Sequence, residues 1–294
     1  MADQTRGDRL FSFMTYSVLI LVVIAVLYPL AFVLSASFSD PQYIMSGEIV
    51  LWPKGLTLDS YSKIFHNSDI VRSFGNTLLY TSLGTFINLL MTICGAYPLS
   101  RRDFVGRNVI MALLVFTMFF SGGLIPTFIL VKKLGMLNTL WVMVIPSAVS
   151  IWNIIIMRTF FQQTIPGELQ EAATIDGCSN FQILRKVVLP LSMPIIAVTI
   201  LFYAVGHWNA FFNALLYLSD KSKFPLQLIL REILIQGQTD DMIKASTESA
   251  IKQQRAVEGI KYAVLVVANI PMLILYPFLQ RYFVKGIMIG AIKG

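Results

Sequence analysis

Residues 166–190 read PGELQEAATIDGCSNFQILRKVVLP, a polar run set between two strongly apolar ones. Pro166 suits the first position of a helix, and Glu168 and Glu171, three residues apart, share a face near that helix's positive end. Gly177 breaks the helix. Ser179 and Gln182 have the spacing of a capping box, so a second short helix is expected to begin there and run towards Pro190. The expected product is helix, sharp turn, helix. Periodicity alone also allows an amphipathic connector lying on a membrane surface.

The flanks of this run place it beside a membrane. Hydrophobic residues make up 56% of the chain and charged ones 13%, against roughly 25% charged in a soluble domain. Six segments, 10–39, 74–100, 108–131, 134–157, 190–219 and 262–280, contain no Asp, Glu, Lys or Arg. Each is near the ~20 residues, or longer, that cross a hydrocarbon core of about 30 Å at about 1.5 Å per residue. The fold class is therefore all-α, a polytopic membrane protein with six transmembrane helices. The net charge of +7 is assigned to basic loops beside anionic lipid, since no nucleic-acid module is visible. Cys94 lies in an apolar segment and Cys178 in the polar run, so neither a structural disulfide nor a metal-ligand cluster is expected.

Arg6 and Arg9 precede an apolar run too long for a signal peptide's core of about 7–15 residues, and it is read as a retained first helix with a cytoplasmic amino terminus. Residues 40–72, punctuated by Pro41, Gly47, Pro53 and Gly55, are read as an external loop. Helix two carries Asn76, Gly84, Asn88 and Gly95, which suit close helix packing. Arg101, Arg102 and Arg107 place the next turn in the cytoplasm. Ser121, Gly122, Gly123 and Pro126 mark a kink or unwinding in helix three, and helix four is expected to end at Arg158.

In helix five, Phe202, Gly206, Asn209 and Asn213 fall within a stripe of roughly 60° at about 100° per residue, a candidate polar path. Two readings stand for Asn209 and Asn213, packing glue or solute contact, and two for Trp208, interfacial anchor or sugar platform. Residues 219–261 are read as an external loop between helices five and six. It holds an amphipathic helix over 224–236, then a polar stretch, 236–259, that either projects outward or stays mobile. An even number of spans puts both termini on one side, and the arginines at 101–107 make it the cytoplasmic one.

The spacing Glu171-Ala172-Ala173, three residues, Gly177, nine residues, Val187, one residue, Leu189-Pro190 resembles the EAA loop of permease subunits of ATP-binding cassette importers. Val187 stands where that pattern usually has Ile, and Cys178 where it has a small residue. GHWNAFFNALLY at 206–217 and the tail at 276–294, ending G-x-x-x-G-A-x-K-G, are similar to the second permease subunit of carbohydrate importers. Within that group YPFLQRYFVKG is most like subunits handling complex oligosaccharides or polysaccharide fragments.

The resemblance implies a type I ABC importer permease fold, one transmembrane domain over 1–294, with 166–190 as a cytoplasmic coupling helix seated on an ATPase. The implied coupling residues are Glu168, Glu171, Ala172, Ala173, Asp176, Gly177, Leu189 and Pro190. Implied partners are a second homologous permease, two ATP-binding subunits, an external solute-binding protein, an oligosaccharide and membrane lipid. No cofactor is expected in this chain, with ATP and Mg held by the ATPase subunits; no G-x-x-x-x-G-K-[ST] occurs here. The resemblance further implies a place in the cytoplasmic (inner) membrane and a mechanism of alternating access.

Three other classes compete with this reading. An importer of the same kind for a non-sugar solute shares every motif. A proton-coupled carrier normally keeps carboxylates or a histidine within its spans; these six hold no carboxylate and a single histidine, His207, and sodium coupling through carbonyls and hydroxyls stays open. An intramembrane enzyme would need a nucleophile with its base or H-E-x-x-H, and His66 and His207 are the two histidines, so no catalytic residue is assigned.

Overall fold

A computed structural model describes residues 6–242 and 248–291, and every regular element in them is helical. The first apolar run is α1 (Arg6–Ser37). The 40–72 segment is not a plain loop, because it holds α2 (Pro41–Met45) and α3 (Asp59–His66), both too short to register as a periodic pattern. Proline opens α2 and the Asp40 side chain caps it, accepting from the Gln42 N–H at 2.8 Å. Next comes α4 (Ser68–Ser100), which begins ahead of its apolar run.

Each of the following three spans is broken. The third is α5 (Arg107–Phe119) and α6 (Leu124–Lys133), bent by 109° at the break over 120–123, where Gly123 has φ +84°. The fourth is α7 (Trp141–Val144) with a 3₁₀ turn (Ile145–Ser147), then α8 (Ile151–Thr164), bent by 53°. Left-handed residues Gly135 and Asn138 delay its start, so it begins at Trp141 and not at Leu134. It also continues past Arg158, against expectation, because that side chain is used inside the protein. Arg158 Nε donates to the Leu99 carbonyl at 2.9 Å and Gln162 Nε2 to that of Ser100 at 3.3 Å, satisfying the open carbonyls at the end of α4.

The polar run forms α9 (Gly167–Ile175), α10 (Asn180–Ile183), a π turn (Leu184–Val188) and α11 (Leu189–Leu191). After an 83° bend comes α12 (Met193–Trp208), followed by α13 (Phe212–Tyr217). Residues 219–261 hold a 3₁₀ turn (Lys221–Lys223), the amphipathic α14 (Leu226–Met242) and the first turns of α15 (Glu248–Ala291). Within the stretch expected to project or stay mobile, 243–247 lie outside the described residues. Gly7–Ser37, Ser68–Ser100 and Val257–Pro277 are each long and apolar enough to cross a membrane, and the three bent pairs bring the total to six.

Two compact units make up the chain. In Met1–Val71 with Leu230–Ile270, hydroxyls knit the end of α1 to the segment after it. Ser39 Oγ donates to Ser35 O at 2.7 Å and accepts from Lys54 N–H at 3.1 Å, while Tyr61 OH donates to Ser37 Oγ at 2.8 Å. Phe32 meets the edge of Tyr262 at 5.8 Å. The side chains of α1 from Val18 to Leu30 do not pack into this unit, and an apolar surface all round a helix belongs in lipid or against another membrane chain. In Arg72–Ile229 with Pro271–Gly294, a core of Ala96, Tyr97, Leu99, Ile154, Met157 and Phe161 is completed by Ile183 and Val188 from the polar run.

Candidate functional site

Local chemistry shapes the 166–190 segment residue by residue. Pro166 takes the cap before α9 and not its first helical position, because its extended ψ of 137° turns the chain into the helix at Gly167. At the other end Gly177 has φ +78°; its N–H donates to Thr174 O at 3.0 Å and that of Cys178 to Ala173 O at 3.0 Å. These are the paired bonds of a Schellman stop. The capping box forms as well: Ser179 N–H donates to Gln182 Oε1 at 2.8 Å, and Gln182 N–H to Ser179 Oγ at 3.4 Å. Helix, turn and helix are thus closed by their own hydrogen bonds.

The segment has two sides. Inward, Ile183 and Val188 are fully buried against α4 and α8, with Ala173, Cys178, Leu184 and Val187 half-buried around them. Tyr97 OH of α4 adds a bond to the Asn180 carbonyl at 3.3 Å. It is therefore not a connector floating on a membrane surface. Outward, Glu168, Glu171, Ala172, Asp176, Gly177 and Pro190 are exposed or partly so, while Leu189 is half-buried. Ile175 and Phe181 stand beside them, 86% and 70% exposed. Sequence reasoning passed over both, although an Ile and a Phe next to a helix stop in a polar run were the available signal.

Glu168 and Glu171 also line a polar cleft of about 860 Å³, together with Arg101, Arg102 and Arg107. Arg101 grips Asp103 through two bonds, Nη2 to Oδ2 at 2.7 Å and Nε to Oδ1 at 2.8 Å. Hydrogen bonding from that guanidinium holds the Asp103 carboxyl below its ordinary range.

Within the spans, the stripe expected on helix five is split. The helix ends at Trp208, and the Asn209 amide turns back to donate to Val205 O at 2.9 Å while its Oδ1 accepts from Gln227 Nε2 at 3.5 Å. Asn209 therefore does not share the face. Trp208 is neither an interfacial anchor nor a platform, since it is 2% exposed and packs edge-on to Phe74 at 5.7 Å. Phe202, Gly206 and Asn213 do come together, the last through the turn into α13, around a cleft of about 520 Å³. Asn88, Asn153 and His207 line it too.

His207 and Asn88 are deeply buried, and each keeps one polar atom, Nε2 and Oδ1, without a hydrogen-bond partner. The remaining lining is neutral, with serine hydroxyls and amides beside aromatic rings. Such groups exchange hydrogen bonds with hydroxyl-rich solutes. Among the described residues no group of three or more His, Cys, Asp or Glu is placed to hold a metal ion.

The chain is similar to known transport proteins over nearly its whole length. The chain is 43% identical over 289 residues, 98% of its length and 99% of the relative's, to the polygalacturonan/rhamnogalacturonan transport system permease protein YtcP of Bacillus subtilis (strain 168). It is 41% identical over 290 residues to protein LplC of the same organism, covering 99% of this chain and 97% of that one. Its fold matches a chain in the crystal structure of a bacterial ABC transporter involved in the import of the acidic polysaccharide alginate. There the TM-score is 0.87 and the identity 31%, over 96% of this chain and 100% of that chain. Residues 74–289 match the model of the binding-protein-dependent transport system inner membrane component. With its six spans and this coverage, the chain belongs to that family of multi-pass inner-membrane transport subunits.

Proposed function

We propose that this chain is the transmembrane subunit of an ATP-driven importer for oligosaccharides, forming half of the translocation pathway and coupling to a separate ATPase through residues 166–190. The observation that carries it is the two-sided coupling segment. Its outer side offers Glu171, Ile175 and Phe181 to a partner, and its inner side is rooted by Ile183 and Val188 in the same core as α4 and α8. A push on the outer side therefore has a rigid path into the spans, because closely packed cores transmit displacement. The oligosaccharide follows from the relative's name, which specifies polygalacturonan and rhamnogalacturonan transport, and from the neutral hydrogen-bonding cleft around Phe202, Gly206 and Asn213.

The complete transporter contains a second homologous permease subunit, two ATP-binding subunits that hold ATP and Mg, and an external solute-binding protein. ATP draws the ATPase pair together, the coupling segment moves with it, and the spans reorient so that the cleft opens to the other side. Both termini and the 166–190 segment face the cytoplasm. Glu171→Lys and Phe181→Ser are expected to abolish sugar-stimulated ATP hydrolysis by the assembled complex while leaving it folded. Normal stimulation in both would remove the coupling assignment. For orientation, Trp52→Cys in a background lacking Cys94 and Cys178 should react with a membrane-impermeant thiol reagent from outside, and Ile175→Cys from the cytoplasmic side alone. The opposite pattern would invert the topology.

A further inference from the structure

The fourth span is unwound at 148–150, between its 3₁₀ turn and α8, and Ser147, Val149 and Ser150 line the 520 Å³ cleft. A break of this kind frees carbonyls at the end of one helix and N–H groups at the start of the next. Inside a membrane, lipid cannot satisfy them, so such backbone persists only where protein or a water-filled cavity meets it. Here two of the groups are met by side chains from other spans. Asn88 Nδ2 of α4 donates to the Ser147 carbonyl at 2.9 Å, and Ser150 N–H donates to the Tyr203 hydroxyl of α12 at 3.3 Å.

The tyrosine is held in turn. Its hydroxyl lies 2.7 Å from Thr92 Oγ1, and Thr92 Oγ1 donates to the Asn88 carbonyl at 2.7 Å. Each hydroxyl has one proton, and that of Thr92 is already given to Asn88. Tyr203 must therefore donate to Thr92, and a one-way chain runs from Ser150 N–H through Tyr203 and Thr92 to the backbone of α4. Asn88, Thr92 and Tyr203 are 2%, 0% and 6% exposed. Asn88 bonds across to the fourth span through Nδ2, while its Oδ1 has no hydrogen-bond partner.

We infer that Asn88, Thr92 and Tyr203 are positioning residues that fix the unwound backbone at 147–150 in the shape that receives the transported solute. They set selectivity without having to touch the solute. The inference rests on the cleft being part of the sugar route proposed above. Removing the tyrosine hydroxyl leaves Ser150 N–H unsatisfied and frees the backbone to shift, which alters which solutes fit. A purely structural role would lower transport of every solute alike.

The test uses the complete transporter in liposomes with saturating binding protein, and measures initial uptake of the galacturonic acid disaccharide and trisaccharide in competition. Tyr203→Phe and Thr92→Val are expected to change the ratio of the two uptakes several-fold, and Thr92→Ser, which keeps the hydroxyl, to restore it. An unchanged ratio, with or without a lower total rate, overturns the inference, as does failure of both Tyr203→Phe and Thr92→Val to assemble. Phe202→Ala and Gly206→Leu reshape the cleft without touching this chain of bonds, and so separate the two claims. If they change the ratio while Tyr203→Phe does not, the positioning role alone fails. If none of the variants changes it, the cleft is not on the route.

Discussion

Alanine in place of Gly84 puts a methyl group onto the His207 ring. Its Cβ would lie 2.6 Å from Cε1 and 2.8 Å from Cδ2, with Nε2 closer still. His207 is 7% exposed and lines the 520 Å³ cleft, so its ring can yield to the methyl group only by turning into that cleft. Overpacking of this kind typically costs about 1–3 kcal/mol. Against it stands the helix preference of alanine over glycine, worth about 1 kcal/mol in the interior of a helix such as α4. The two effects separate in a double-mutant cycle. In a His207→Ala background the clash is gone and Gly84→Ala should stabilise; with His207 present the same change should be neutral to destabilising.

The difference between backgrounds is the clash itself, about 1–3 kcal/mol. At about 2–4 °C per kcal/mol, it should appear as roughly 2–12 °C in the melting temperature of the detergent-solubilised complex. Equal shifts in both backgrounds would refute the close approach of α4 and α12 at this point.

Other outcomes follow from the same structure. A Cβ at Gly177 meets nothing within 4 Å, so the penalty for Gly177→Val is backbone strain alone, about 1–2 kcal/mol, and sugar-stimulated hydrolysis should fall while the melting temperature of the spans holds. Asn138, at φ 56°, accepts from Ser219 and Asp220 N–H at 3.3 and 3.2 Å through its side chain. Asn138→Ala should therefore lose about 2–5 kcal/mol from two bonds and a strained backbone, and melting should rank wild type above Asn138→Gly above Asn138→Ala. The depressed carboxyl of Asp103 contributes stability above its ordinary titration range, and that contribution disappears as the pH falls through its lowered folded value. The melting difference between wild type and Asp103→Asn should be constant from neutral pH into mild acid and shrink to nothing in strong acid.

What was legible in the sequence was what neighbouring residues decide among themselves. The spans announce themselves because a bilayer reads only summed apolarity, and Gly177, Ser179 and Gln182 act through partners a few positions away. The breaks were harder to see. The unwound turn at 148–150 is held by Asn88 and Tyr203, which stand 59 and 53 positions from the residues they bond. The stripe over 202–213 presumed an unbroken helix, yet the Asn209 side chain bonds back to Val205 O at the point where the helix stops, and Trp208 turns into the core. No spacing rule distinguishes an amide that lines a route from one that ends a helix. Ile175 and Phe181 were missed for the opposite reason, since their meaning lies in exposure, which periodicity does not report.

The π turn at 184–188 has a consequence for phase. One residue more than an α-helical turn requires is accommodated there, between α10 and the bend that leads to α12. Deleting a residue in this turn would let the helix close in α geometry with the turns on either side still nearly in phase, because the wide turn absorbs its extra residue locally. Glu171, Ile175 and Phe181 would keep their direction, whereas the same deletion within the regular α12 would rotate everything upstream by about 100°. The docking surface thus has one residue of slack in this turn and none in the regular helix beyond it, much as a loose link lets a chain shorten without turning its ends.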